Sequence, residues 1–155
     1  MFRWGYLTPR QRQMWSLMRG GLTESEISRE LNISRQSVHV MLNAAQSKIL
    51  QALNEAAEVN RIQVRYLDVK KGILVGHSPE FDHKVVITYS PKNGIRIWYA
   101  HDEECKKCEF DKEWVKIILD EAEERGIKLS EGELRLHPSQ LAKIIFKKIL
   151  PSVEL

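Results

Sequence analysis

The chain has 155 residues, 43% hydrophobic and 29% charged, with a formal net charge of +3. That is apolar material for one or two small cores, and no run approaches the roughly 18 consecutive apolar residues of a membrane span, so no membrane partner is expected. The N-terminus, MFRWGYLTPRQ, lacks the apolar stretch of a secretory leader, and a cytoplasmic protein is expected.

A charge of +3 does not identify a partner, but its distribution is informative. Residues 1–53 hold seven basic side chains (Arg3, Arg10, Arg12, Arg19, Arg29, Arg35, Lys48) against three acidic ones (Glu24, Glu26, Glu30). The rest of the chain is close to neutral. A positive excess confined to one third of a chain fits a polyanionic partner.

The same third carries the clearest pattern of elements. Thr8 is placed to cap a first helix, with Pro9 at its first position and Gln11 three residues after the cap, a capping box. Met14, Leu17 and Met18 form its apolar stripe, with Trp15 beside it, and Gly20-Gly21 ends it. Thr23 and Glu26 repeat the capping box for a second helix, whose Ile27 and Leu31 face inward. Asn32 stands where a tight turn requires a left-handed residue. Ile33 closes the turn, Ser34 caps a third helix, and Val38 and Met41 point back to the first two. A small residue, a left-handed residue, Ile, a Ser cap and an inward Val, in that order over residues 23–42, predict a helix-turn-helix. The alternative is a helical hairpin with no role at DNA.

The third helix is predicted from Arg35 to about Ala57. Val38, Leu42, Ala45, Ile49, Ala52 and Ala56 run along it at alternating four-three spacing. That seam either packs on the protein itself or makes a homodimer. A recognition helix shows its cap, its first turn and one residue per later turn to the groove. Those positions are Ser34, Arg35, Gln36, His39, Val40 and Asn43. Arg can bond bidentately to guanine, Gln or Asn to adenine, and Val40 can meet a thymine methyl. Thr23, Ser37, Arg12 and Lys48 suit phosphate contacts, which position without specifying.

Residues 7–53, with LTxRQ, GLTxxEI and SRxxV, resemble the helix-turn-helix of archaeal Tfx-like regulators and, more distantly, LuxR-type and sigma-factor region-four domains. The resemblance implies sequence-specific binding of double-stranded DNA and regulation of transcription. It covers about the first third of the chain.

After Asn60 the hydrophobic period shortens to that of strands. Residues 62–66 alternate, 73–75 read as a short strand after the Lys71-Gly72 turn, 84–89 are β-branched, and 95–100 follow a Pro91–Gly94 hairpin turn, so a four-stranded antiparallel meander is predicted. Residues 77–83 are read as a loop. Asp111 is placed to cap a helix with Trp114, Ile118 and Ala122 on one face and Gly126 at its end. Residues 130–136 are read as a short strand. A last helix, 139–150 after Pro138, is apolar nearly all round and must be buried. The expected class is α+β: a helix-turn-helix domain at 1–60, then an α+β domain at 61–155, in which the meander and two helices share one layered core and sense an effector, assemble a dimer, or both.

Cys105 and Cys108 form a single CxxC, with His101 at HxxxC spacing and His77 or His83 as a fourth ligand if the strands bring that loop near. Zinc is one reading, since structural sites take four N or S ligands. A metal shared by a dimer, a disulfide or redox switch, and a thiol pair with no role are the others. Residues 102–104 and 120–124 are read as solvated acidic faces. Of Trp98 and Tyr99, on opposite faces of one strand, one is expected in the core. No P-loop, HExxH, nucleophile elbow or dinucleotide glycine motif occurs, and no enzyme is expected. The rivals to a DNA-binding regulator are an interaction module that docks the transcription machinery and a metal- or redox-responsive switch at Cys105/Cys108.

Overall fold

The structure is a computed structural model that describes residues 7–100 and 112–155. Its elements are α1 (Pro9–Arg19), α2 (Glu24–Leu31), α3 (Arg35–Val59), β1 (Gln63–Asp68), β2 (Ile73–Ser78), β3 (His83–Ser90), β4 (Gly94–Tyr99), α4 (Lys112–Glu124), α5 (Glu131–Leu134) and α6 (Pro138–Ile149). The chain is α+β, three helices leading into a four-stranded sheet and further helices. The strands lie in the order β1-β2-β3-β4, with β1–β2 and β2–β3 antiparallel. By packing, one compact unit runs to Ile97 and a second from Trp98 to Leu155.

In the first unit each helix begins where its cap chemistry dictates. Thr8 and Gln11 exchange both capping-box bonds, the Thr8 N–H donating to Gln11 Oε1 at 3.1 Å and the Gln11 N–H to Thr8 Oγ1 at 3.2 Å. Thr23 and Glu26 do the same for α2. Met14, Ile27, Val38 and Leu42 are buried together, one or two from each helix, ringed by Leu17, Met18, Leu22, Leu31, Ile33 and Met41. Burial of side chains of this size contributes about 1.5–3 kcal/mol each, which sets the three helices at fixed angles.

The heptad-like seam of α3 is spent inside the chain. Val38, Leu42, Ala45, Ile49 and Ala52 are all buried. The first two serve the three-helix core, and the later part of α3 packs on β2 and β3. The seam from Val38 to Ala52 is therefore taken up by packing within the chain, while Ala56 at its end is half-buried. The alanines are small enough to let a sheet lie against a helix; two facing copies would gain little from them.

Trp15 ties α1 to the sheet. Its ring meets Tyr89 of β3 edge-on, centroids 5.2 Å apart. Gly72 lies beneath, at φ +66°; a Cβ there would come within 2.9 Å of the Tyr89 carbonyl oxygen and 3.1 Å of the indole. Only glycine suits both the left-handed backbone and that spacing. The sequence placed Trp15 merely beside the apolar stripe. In the fold it is fully buried on the side of α1 that meets the sheet. The change at Asn60 is thus a change from helix to strand, with helices and sheet in the same compact unit.

β1 departs from the alternation expected of it. Val64 is 46% exposed, because β1 is an edge strand and its register with β2 shifts between Val64 and Tyr66. Such a bulge turns the strand's sides out of step with the sheet. The loop expected at 77–83 is shorter. His77 and Ser78 complete β2, and His83 opens β3.

In the second unit, Trp98 is the buried member of the Trp98/Tyr99 pair, packed edge-on against Trp114 at 5.2 Å and tilted on Phe146 at 5.7 Å. α4 and α6 pack together. The sheet as far as Ile97 belongs to the same compact unit as α3, which packs on β2 and β3. The helix cap expected at Asp111 lies outside the described residues. Glu121 is fully buried and bonds Arg125 Nε at 3.1 Å, one helical turn on, so 120–124 is not wholly a solvated face. Residues 130–136 form no strand. Ser130 and Glu133 make a third capping box and start the short helix α5. That Ser-x-x-Glu spacing is the same signal that marks α1 and α2, and it prevails over the alternation of Leu134 and Leu136. The last helix buries Leu141, Ala142, Ile145, Phe146 and Ile149 and exposes Lys143, Lys147 and Lys148.

Candidate nucleic-acid interface

The turn before α3 decides what the helix can present. Asn32 sits at φ 52°, ψ 48°, in the left-handed region, and the Ile33 N–H returns to the Ser28 carbonyl at 3.0 Å. Ser34 then caps α3, its Oγ accepting from the Ser37 N–H at 3.1 Å. The cap fixes the helix phase. Val38, Leu42 and Ala45 turn inward, and Ser34, Arg35, Gln36, His39, Val40 and Asn43 are all exposed. Val40 is 58% exposed, an apolar side chain standing on a polar face.

This face has its own network. Glu24, at the first position of α2, accepts from His39 Nδ1 at 2.9 Å and lies 3.9 Å from Arg35 Nε. His39 Nε2 is in turn 3.1 Å from Asn43 Nδ2. The Arg35 side chain is 72% exposed. At that distance and exposure its ion pair with Glu24 is weak and screened by salt. The guanidinium can therefore exchange Glu24 for another anion or for a base edge. The sequence reading missed Glu24, because its partner is 15 residues away on another helix and no local period reports such a contact.

A helix packed on its inner side, capped at its start and exposing cationic and amide side chains outward is the geometry of a groove reader. Residues 6–57 match the family model GerE, bacterial regulatory proteins, luxR family. The match spans the first third of the chain and marks α1–α3 as similar to a LuxR-type helix-turn-helix. The comparisons with curated proteins and with solved structures gave no match. Among the described residues, no helix is long and apolar enough to cross a membrane.

The residues expected at phosphates behave differently from one another. Arg12 is exposed on α1, with no side-chain bond to any of the described residues. Lys48 is half-buried and donates to Gln11 Oε1 at 2.8 Å, so it joins α3 to the cap of α1. Ser37 shares a hydroxyl contact of 2.8 Å with Ser34. The Thr23 hydroxyl is held by Glu26, accepting from its N–H at 3.2 Å and lying 3.0 Å from its Oε2. Thr23 and Lys48 thus have structural work that a phosphate would have to share.

The Thr23 backbone N–H, donating to Glu26, holds this carboxyl below its ordinary pKa, and the Thr23 hydroxyl adds to the effect. A depressed carboxyl stabilises the fold above its unfolded pKa and loses that contribution as pH falls through the folded value. Glu26→Gln is therefore expected to flatten the acid-side fall in thermal stability relative to the unmodified chain. Melting curves taken from neutral pH down through the carboxylate range measure this; superimposable acid slopes would contradict it.

Two other features bear on partners. Cys105, Cys108 and His101 lie outside the described residues. Among the described residues no group of three or more His, Cys, Asp or Glu is placed to hold a metal. His77 Nε2 lies 3.0 Å from Asp82 Oδ1. Within the first unit, a cavity of about 520 Å³ opens between the last turns of α3 and the β3–β4 turn, walled by Ala52, Ala56, Val59, Tyr89 and Ile95 with Arg96 at its side.

Proposed function

We propose that this protein is a sequence-specific, double-stranded-DNA-binding transcription regulator of the Tfx-like kind, which lays the first turns of α3 in the major groove. One observation carries the reading. Arg35, Gln36, His39, Val40 and Asn43 stand exposed together on a helix whose other side is locked into a three-helix core. Arg35 reads guanine, Gln36 and Asn43 read adenine, Val40 meets a thymine methyl, and Arg12 contacts a phosphate. The match to the LuxR-type model supports it.

The test is binding of the full chain to a random duplex library and to the sites selected from it, at several salt concentrations. Affinity for random DNA should fall linearly in log–log form with salt, by roughly one power per phosphate contacted. A selected duplex should compete far better than random DNA. Salt-insensitive binding, or no preference for any sequence, would favour docking to a protein of the transcription machinery.

The regulator works as a homodimer in this reading, through a surface other than the buried α3 seam. A two-fold symmetric consensus with half-sites about 34–36 Å apart would support that, and a single asymmetric half-site would count against it. The cavity beside α3 is of a size that small ligands occupy, and it touches the same helix that reads DNA, so a small-molecule effector would act there. A metal- or redox-responsive switch at Cys105/Cys108, with His101, is a separate reading. It requires stoichiometric zinc by elemental analysis, or DNA binding that changes with chelator or oxidant.

A further inference from the structure

The network around Glu24 goes beyond tethering. A carboxylate only accepts hydrogen bonds, so the proton in the Glu24–His39 contact of 2.9 Å sits on Nδ1 of the ring. In the neutral ring, with that proton on Nδ1, Nε2 is an acceptor. Asn43, 3.1 Å away, must then turn its amide nitrogen to the ring and not its oxygen. The order of donors and acceptors runs in one direction: Asn43 N–H to His39, His39 N–H to Glu24.

We propose that Glu24 is a positioning residue for base reading, holding the Asn43 amide through His39 in one of its two flip states. The inference rests on the DNA-binding reading above and deepens it. An amide flipped by 180° exchanges its donor and acceptor in space. With one N–H spent on His39, Asn43 keeps Oδ1 and the other N–H. These are the acceptor and donor that the N6–H and N7 of adenine require in a fixed spatial order. Held in that state before DNA arrives, the amide loses less freedom on binding. Glu24 would touch no base, and its negative charge by itself would repel the duplex. Through His39 its benefit falls on the base pair that Asn43 reads.

The test uses the full chain and selection from a random duplex library, with Glu24→Ala, Glu24→Gln, Asn43→Ala and the Glu24→Ala/Asn43→Ala double variant. The position read by Asn43 is the one whose adenine preference disappears in Asn43→Ala. At that position Glu24→Ala should lower the preference by about 2- to 12-fold, the range set by one hydrogen bond. Glu24→Gln, whose amide can accept from or donate to the ring, should fall between. Preferences elsewhere in the site should hold, apart from the guanine facing Arg35, and binding to random DNA should rise as an acid is lost. Adding Glu24→Ala to Asn43→Ala should change nothing more at that position. Melting temperatures that stay together exclude a folding defect as the cause. An unchanged preference in Glu24→Ala, or an equal change in both backgrounds, would overturn the relay while leaving the DNA reading intact. If the unmodified chain enriches no sequence, both readings fail together.

Discussion

Arg35→Ala is expected to weaken binding to the selected duplex by roughly 5- to 140-fold, the equivalent of one bidentate base contact, and to flatten preference at one position of the site. The structure makes this a clean substitution. The side chain is 72% exposed, and its nearest anion, Glu24, is 3.9 Å away. Exposed substitutions away from caps and cores shift stability by about 0.5 kcal/mol or less. Helix α3 starts at Arg35 but is capped by Ser34, which the substitution leaves in place. A loss of affinity will therefore report contact with DNA. Affinity measured on the selected duplex, on its single-base variants and on random DNA gives the answer. A uniform loss on all of them, with the salt slope reduced by about one, would reassign Arg35 to a phosphate. The charge alone would then be at work.

Trp15→Ala is expected to be the most damaging single change in the first unit, at about 3–5 kcal/mol. For a chain of this length that is roughly 6–20 °C in melting temperature. Three contacts are lost at once. The indole meets Tyr89 edge-on at 5.2 Å, covers Gly72, and carries the Arg19 guanidinium over its face at 4.8 Å. All of these join α1 to the sheet or to its own last turn. The exposed side chains from Arg35 to Asn43 lie on another face, so any protein that remains folded should keep whatever DNA binding they provide. Trp15→Phe separates the causes. It leaves a smaller cavity and also removes a buried Nε1 with no hydrogen-bond partner among the described residues. An unsatisfied buried donor is itself costly, so Trp15→Phe should cost well under half as much as Trp15→Ala. Calorimetry or thermal melting of the two variants decides it. If Trp15→Ala proves nearly neutral, the helical reader does not depend on the sheet for its stability.

Together the two results describe a division of labour on α1–α3. One side of the three-helix unit is committed to structure: Trp15 on the sheet, Lys48 on the α1 cap, and the α3 seam against the core and the strands. The other carries little that stability needs. Because those two sets barely overlap, the exposed one can vary with the DNA site while the fold persists. A ligand in the cavity beside the end of α3 would bear on the structural set and reach the reader through the helix itself.

Local rules were enough to read the helix-turn-helix from the amino acids alone. Capping boxes at Thr8 and Thr23, a left-handed Asn32 and a Ser34 cap each act within four residues, so their energies are visible in a short window. The same holds for the strands, whose period and turns are local, and for the outward set from Arg35 to Asn43, whose phase follows once Val38 and Leu42 are inward. What only the tertiary structure decided depends on residues distant in the chain. It chose the partner of the α3 seam, sent Trp15 to Gly72 and Tyr89, grouped the sheet with α3, buried Glu121, and brought Glu24 to His39. An apolar or charged side chain announces that it wants a partner, but many partners satisfy it equally. The choice among them is made by the summed packing of the whole chain, which no window of sequence contains.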